Sequence, residues 1–155
     1  MTMRDRLTAA MKDAMRAREA DRLSTLRLIN AAIKDRDIAA RGEGGGEGGA
    51  EVSDAEILAI LGRMVKQRQE SVRLYEEGGR LELAEKEQAE IRVIEEFLPR
   101  QLTAEEIEAA VSAALTEVGA TGIRDMGRVM AALKARYMGQ MDFAAVGLMV
   151  KARLG

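Results

Sequence analysis

The sequence predicts an all-α protein, an N-terminal four-helix domain followed by a small three-helix C-terminal domain. Three observations carry that reading. Apolar residues recur at the helical period along every long segment of the 155-residue chain. Glycine is common but clustered, which suits long helices with few joints. The single proline, Pro99, stands between two periodic segments, and a proline drives the residue before it out of helical geometry. The boundary is therefore placed there, giving domains at 1–98 and 99–155.

The first helix is expected over residues 3–19, with Met3, Leu7, Ala10, Met11 and Ala14 on one stripe. The second is expected over 21–40, with Leu23, Leu26, Ile29 and Ile33 along one face and Asp37 continuing it. Asn30 falls on that stripe and is expected as a buried, hydrogen-bonded group. The segment "ARGEGGGEGGAE", residues 40–51, follows. Each glycine lowers helix stability by roughly 1 kcal/mol relative to alanine, so it reads as a loop, glycine-rich at 42–49, that no helix crosses. It has neither the preceding strand nor the GK[ST] of a phosphate-cradling loop.

Ser53 with Glu56 forms a capping box that opens the third helix. Ile57, Ile60, Leu61, Met64, Val65, Val72 and Tyr75 face its core, and Glu77-Gly78-Gly79 ends it. The fourth, over 80–97, carries Leu81, Ala84, Ile91, Ile94 and Leu98. Its outer face, with Glu85, Glu87, Glu90, Glu95 and Glu96 among Lys86 and Arg92, reads as solvated. Thr103 and Glu106 open a fifth helix over 104–118, with Ile107, Val111, Ala114, Leu115 and Val118 inward and Gly119 and Gly122 at its end. The sixth, over 124–137, turns in Met126, Val129, Met130, Leu133 and Tyr137, and Gly139 caps it. Asp142 starts the seventh, which carries Phe143, Val146, Val150 and Leu154.

The chain has no cysteine and no histidine. That removes a thiol nucleophile, a Ser-His-Asp triad, a zinc site and a two-His iron site from its chemistry. No catalytic residue, cofactor or metal is expected. Disulfides are excluded, the N-terminus lacks the apolar core of a signal peptide, and no apolar run approaches a membrane span. A cytoplasmic protein with no membrane partner is the expectation.

The formal charge of −2 is unevenly spread. Residues 1–41 hold ten Lys/Arg against six Asp/Glu, residues 51–98 seven against twelve, and residues 120–155 six against two. Arg124, Arg128, Lys134, Arg136, Lys151 and Arg153 thus form a candidate anion surface, with the Gly139-Gln140 turn bringing backbone amides near it. Amides at the helix starts near Asp125 and Asp142 are further candidates, although those acidic caps oppose an anion. Lys66 and Arg68 offer a second, lesser basic contact. The aromatics, Tyr75, Phe97, Tyr137 and Phe143, all sit at core-like positions. That disfavours a base-stacking platform and favours folded RNA gripped through phosphate. Gly127 inside the sixth helix reads as a place for close helix packing. Met126 and Met130 read as core; Met138 and Met141 flank a turn, where exposure would give a protein-binding patch, but core filling is the preferred reading of the methionines.

Four stretches together carry a family resemblance: "RLSTLRLINAAIKDRDI", "RMVKQRQESVRLYEEGGR", "EKEQAEIRVIEEFLPRQLTAEEIE" and "DMGRVMAALKARYMGQMDFAAVGLMVKARL". In that order they resemble the GatB/YqeY-type family over most of the chain, the glycine-rich loop excepted. The resemblance implies a free-standing relative of the C-terminal region of the GatB subunit of the tRNA-dependent amidotransferase, in which the last three helices contact tRNA. It implies tRNA as partner, with an aminoacyl-tRNA synthetase or an amidotransferase component as protein partner. It also carries a family label, carbon-nitrogen ligase with glutamine as amido-N-donor, for which these residues supply no machinery. Gln140 and Met141 stand where the family often has a basic residue after the glycine. The expected function is a non-catalytic tRNA-binding accessory protein. The alternative is a helical protein-interaction adaptor docking through its Met-rich end, and ligase activity ranks last.

Overall fold

The structure is a computed structural model that describes residues 1–44 and 51–155, the side chains of 43 and 44 excepted. Its described residues form seven α-helices and no strand: α1 (Met3–Arg16), α2 (Ala20–Gly44), α3 (Asp54–Glu77), α4 (Leu81–Glu95), α5 (Ala104–Val118), α6 (Met126–Tyr137) and α7 (Phe143–Leu154). They fall into two compact units, Met1–Leu98 and Pro99–Gly155.

In the N-terminal unit, Thr2 and Asp5 close a reciprocal capping box that starts α1. The helix stops short of the expected residue 19 because Arg18 takes a left-handed φ of +58° and turns the chain into α2. The apolar stripes of α1 to α4 meet in one core, with Leu26, Ile29, Ile33, Ile57, Leu61 and Ile94 fully buried. Ser53 caps α3 through the Glu56 amide at 3.2 Å, while the Glu56 carboxylate turns to Arg36 instead of back to the cap. Gly79, at φ +73°, then lets Arg80 N–H reach the Tyr75 carbonyl at 2.7 Å and reverses the chain into α4.

Further expectations are corrected in this unit. Leu81, placed on the apolar stripe of α4, is 66 % exposed at the first turn of that helix. Helix α2 does not stop at residue 40 but runs on through Gly44, since glycine's penalty is small beside the packing that holds the preceding turns. The rest of the glycine-rich loop lies outside the described residues. Asn30 is half-buried, not buried. The acidic face of α4 is not simply solvated: Arg68, whose side chain is 15 % exposed, bonds Glu90 at 2.9 Å and the Met64 carbonyl at 3.2 Å, and Arg22 pairs with Glu96. That engages Arg68 inside the unit and removes it from the second basic contact.

Asp37 is the polar centre of the unit. It is 8 % exposed, accepts from Arg4 Nη2 at 2.7 Å and from the Val52 amide at 2.9 Å, and so ties α1, α2 and the entry to α3 together. The Arg4 guanidinium, then the Val52 amide, hold its carboxyl below the ordinary aspartate value.

The C-terminal unit packs α5, α6 and α7 around Val111, Val129, Leu133, Val146 and Val150. Thr103 and Glu106 form the complete capping box of α5. Arg100 grips the Glu106 carboxylate with both guanidinium nitrogens at 2.8 Å, which with the Thr103 amide lowers that carboxyl to about 2. Gly119 ends α5 in the left-handed region at φ +68°. A 3₁₀ turn, Ile123–Asp125, precedes α6, which therefore begins two residues later than the period suggests. Met141 is buried, at 8 %, and Met138 half-buried, in line with core filling. Gly127 is corrected too: among the described residues a Cβ there would meet nothing within 4 Å, so no described helix packs closely on it.

Candidate nucleic-acid interface

The C-terminal unit is electrically two-sided. Its carboxylates are concentrated on α5, at Glu105, Glu106, Glu108 and Glu117, and its cations on α6, α7 and the turn before α6. Arg124, Arg128, Lys134, Arg136, Lys151 and Arg153 are all exposed.

Asp125 builds the start of α6. Its carboxylate accepts from the amides of Thr121 at 2.9 Å and Gly122 at 3.3 Å and pairs with Arg128. The Thr121 amide first, then Arg128, hold its carboxyl at about 2. Asp125 thus takes the amides expected to meet a phosphate, and Asp142 Oδ1 takes the Ala144 amide at 3.0 Å in the same way. The helix starts are corrected from anion sites to self-capped ends. Arg128 keeps a largely exposed guanidinium. Arg124, in the 3₁₀ turn, makes no ion pair among the described residues.

At the other end of α6, Arg136 bonds Glu117 of α5 at 2.7 Å, and the Lys134 ammonium lies 6.0 Å from the centre of the Phe143 ring. Gly139 takes φ +79°, which only glycine adopts freely. The turn it makes is clasped to the segment after Pro99. Gln101 Nε2 donates to the Gly139 carbonyl at 2.6 Å, Gln140 Nε2 to the Arg100 carbonyl at 3.0 Å, and the Leu102 amide to the Gln140 carbonyl at 2.9 Å. Gly139 and Gln140 therefore act first as a structural joint. Gln101 is the partner that sequence reasoning missed, because nothing local to it signals a contact 38 residues away.

On α7, Arg153 Nη1 donates to Ser112 Oγ of α5 at 3.2 Å, and Lys151 is exposed. Phe143 lies beside Lys134, and a Cβ at Gly147 would sit 3.7 Å and 3.8 Å from the methyls of Met126 and Met130. Helices α6 and α7 are therefore antiparallel. That brings Lys151 and Arg153 to the end of the pair that holds Arg124 and Arg128. Lys134 and Arg136 occupy the opposite end, roughly 15 Å away at 1.5 Å per residue. The six cations form two groups, not one patch.

Among the described residues no helix is long and apolar enough to cross a membrane. The sequence model of the family described as Yqey-like protein matches residues 4–154. The chain is similar to the protein of Lachancea thermotolerans named altered inheritance of mitochondria protein 41, mitochondrial, with 29% identity over 110 residues, 70% of this chain and 55% of that one. It is similar to the Clavispora lusitaniae protein of the same name, with 33% identity over 116 residues, 74% of this chain and 63% of that one. An uncharacterized protein of Schizosaccharomyces pombe is 28% identical over 87 residues, 56% of this chain and 64% of that one. The chain thus spans between about half and two thirds of the length of these relatives. Two of their names state a mitochondrial protein, which overturns the cytoplasmic expectation. That expectation rested on missing cysteines and a missing signal-like segment, and neither separates one reducing compartment from another.

Proposed function

The chain belongs to the YqeY-like protein family, and from that premise we propose that it is a non-catalytic accessory protein that grips tRNA. In this reading a four-helix N-terminal domain carries a three-helix C-terminal domain, and the latter makes the RNA contact, as the resemblance to the tail of the amidotransferase GatB subunit implies. The observation that supports it is the exposure of all six cations of α6, α7 and the turn before α6 in two groups about 15 Å apart, on a unit whose carboxylates gather on α5. Two such groups suit phosphates on separate strands of a folded RNA better than a single extended strand. The aromatics support the same choice. Phe97 is buried, Tyr75, Tyr137 and Phe143 are half-buried, and Lys134 lies over Phe143, so no ring is offered to an unstacked base. We assign no bond-making step to this chain. An aminoacyl-tRNA synthetase or amidotransferase component is the enzyme such a grip would serve.

Fluorescence anisotropy of labelled total tRNA with the full chain tests this at low and moderate salt. The expected result is salt-sensitive binding that Arg124→Ala/Arg128→Ala/Arg136→Ala weakens at least about tenfold. Failure of the wild type to bind at low salt would contradict it.

A further inference from the structure

Helix α2 offers solvent a stripe that no other described helix of its unit covers. Positions 21, 24, 28, 31, 35, 38 and 42 are separated alternately by three and four residues, and all seven are exposed. Leu28 at 44 % and Ile38 at 64 % are large apolar side chains left bare, with Ala31 between them. Arg27, Lys34 and Arg41 each stand one position before the stripe, seven residues apart and all exposed. In two helices wound at a seven-residue repeat, such a stripe is the contact seam, and the positions beside it select the partner by charge. Successive cations on this edge are about 10 Å apart. Arg27 and Lys34 make no ion pair among the described residues. On the other edge, α2 faces α4 across an open groove of about 460 Å³ whose lining is mixed in charge, with Asp21, Glu82, Glu85 and Glu90 beside Lys86 and Arg92, so selection by charge falls to the basic edge alone. The N-terminal half of the seam is thus a shelf with a wall.

Charge decides what fits. A second copy is opposed in either direction. Parallel pairing sets Asp35 against Asp35, and antiparallel pairing sets Arg27, Lys34 and Arg41 against themselves. Phosphate would use the cations but leave Leu28 and Ile38 idle. A lipid surface would have to take Asp21 and Asp35 into its plane. A helix with apolar seam residues and Glu or Asp on its flank satisfies the apolar stripe and the basic edge together. We infer that the exposed face of α2 docks an acidic amphipathic helix of a partner protein, with Leu28, Ala31 and Ile38 as the seam and Arg27, Lys34 and Arg41 as the selecting edge. This stands apart from the RNA reading, which uses α6 and α7.

The test uses the full chain and two labelled three-heptad peptides with the same leucine seam, one flanked by glutamate and one by lysine. The acidic peptide is expected to bind about tenfold or more tightly than the basic one, less so as salt rises. Arg27→Glu/Lys34→Glu/Arg41→Glu is expected to reverse the preference, and Leu28→Asp/Ile38→Asp to abolish binding of both. These positions are exposed, so circular dichroism and the urea midpoint of each variant serve as fold controls. Equal binding of the two peptides, binding of neither, or an unchanged preference in the charge-reversed variant would overturn the inference. If the wild type binds neither peptide and the charge-reversed variant loses tRNA, the ridge belongs to RNA and the inference also fails.

Discussion

The two units differ in how some of their arginines are engaged. In the N-terminal unit Arg4, Arg22 and Arg68 reach between segments far apart in sequence, to Asp37, Glu96 and Glu90. In the C-terminal unit Arg128 pairs with Asp125 one turn away, and Arg136 meets Glu117 with both side chains about half exposed. The first set is part of how its unit folds. The second remains at the surface, where an incoming phosphate can compete for it. The excess of positive charge is alike in residues 1–41 and 120–155, so a count of charges gives them equal standing as anion surfaces. Tertiary structure takes Arg4 and Arg22 out of the first count and leaves Arg27, Lys34 and Arg41 exposed.

The largest effect that sharpens this contrast is expected at Asp37. Asp37→Ala takes from Arg4 its shortest contact, leaving Glu51 at 3.8 Å and the Val52 carbonyl at 3.4 Å, and leaves the Val52 amide without its acceptor, for a loss of about 2–3 kcal/mol in urea unfolding. Arg136→Ala is expected to change stability by less than about 0.5 kcal/mol. Equal losses would erase the distinction.

Acid titration extends it. Asp37 is held below its ordinary value, and Glu106 and Asp125 are held at about 2. A carboxyl lowered on folding contributes stability above its unfolded value, and that contribution is lost as pH falls toward the folded one. The window is therefore from about pH 4.5 downward to about 2. Unfolding at pH 7, 4 and 2.5 is expected to show the gap between wild type and Asp37→Asn narrowing as pH falls. A gap that stays constant would mean that the Asp37 charge is not what stabilises.

The clasp at the Gly139 turn comes next. Gln101→Ala removes the exposed hydrogen bonds to the Pro99 and Gly139 carbonyls and Gln140→Ala the one to the Arg100 carbonyl, and each is expected to cost about 0.5–1 kcal/mol by thermal or urea unfolding. Changes within error for both would show that the turn holds without its side-chain bonds. The smallest effect runs the other way. Gly127→Ala adds a methyl to open space in a helix and is expected to stabilise by about 0.5 kcal/mol. A loss of stability there would reveal a close approach that the geometry does not contain.

The helices are legible in the sequence because local rules agree. The seven apolar stripes, the Thr103 and Glu106 cap and the glycine stops all follow from spacing within a few residues. Thr2 and Asp5 carry the same signal at the start of α1. The end of α2 is misplaced when propensity is weighed without the tertiary packing that extends a helix past its weak residues. The candidate site is legible as a set of cations and not as an arrangement. Its division into two groups depends on α6 and α7 running antiparallel, its engaged amides on Asp125 and Asp142, and its joint on Gln101. The Arg4–Asp37–Val52 contact joins three separate segments, and no spacing rule reaches that far.

The most direct measurement is the dependence of tRNA affinity on salt. It compares wild type, Arg124→Ala/Arg128→Ala/Arg136→Ala, and an N-terminal control, Arg63→Ala/Arg80→Ala, at exposed sites. The slope of log affinity against log salt is expected to fall in magnitude by about two to three for the C-terminal triple, near 0.7–0.9 for each phosphate no longer neutralised, and to stay unchanged for the control. Equal slopes in all three proteins would contradict an RNA grip made by α6 and α7.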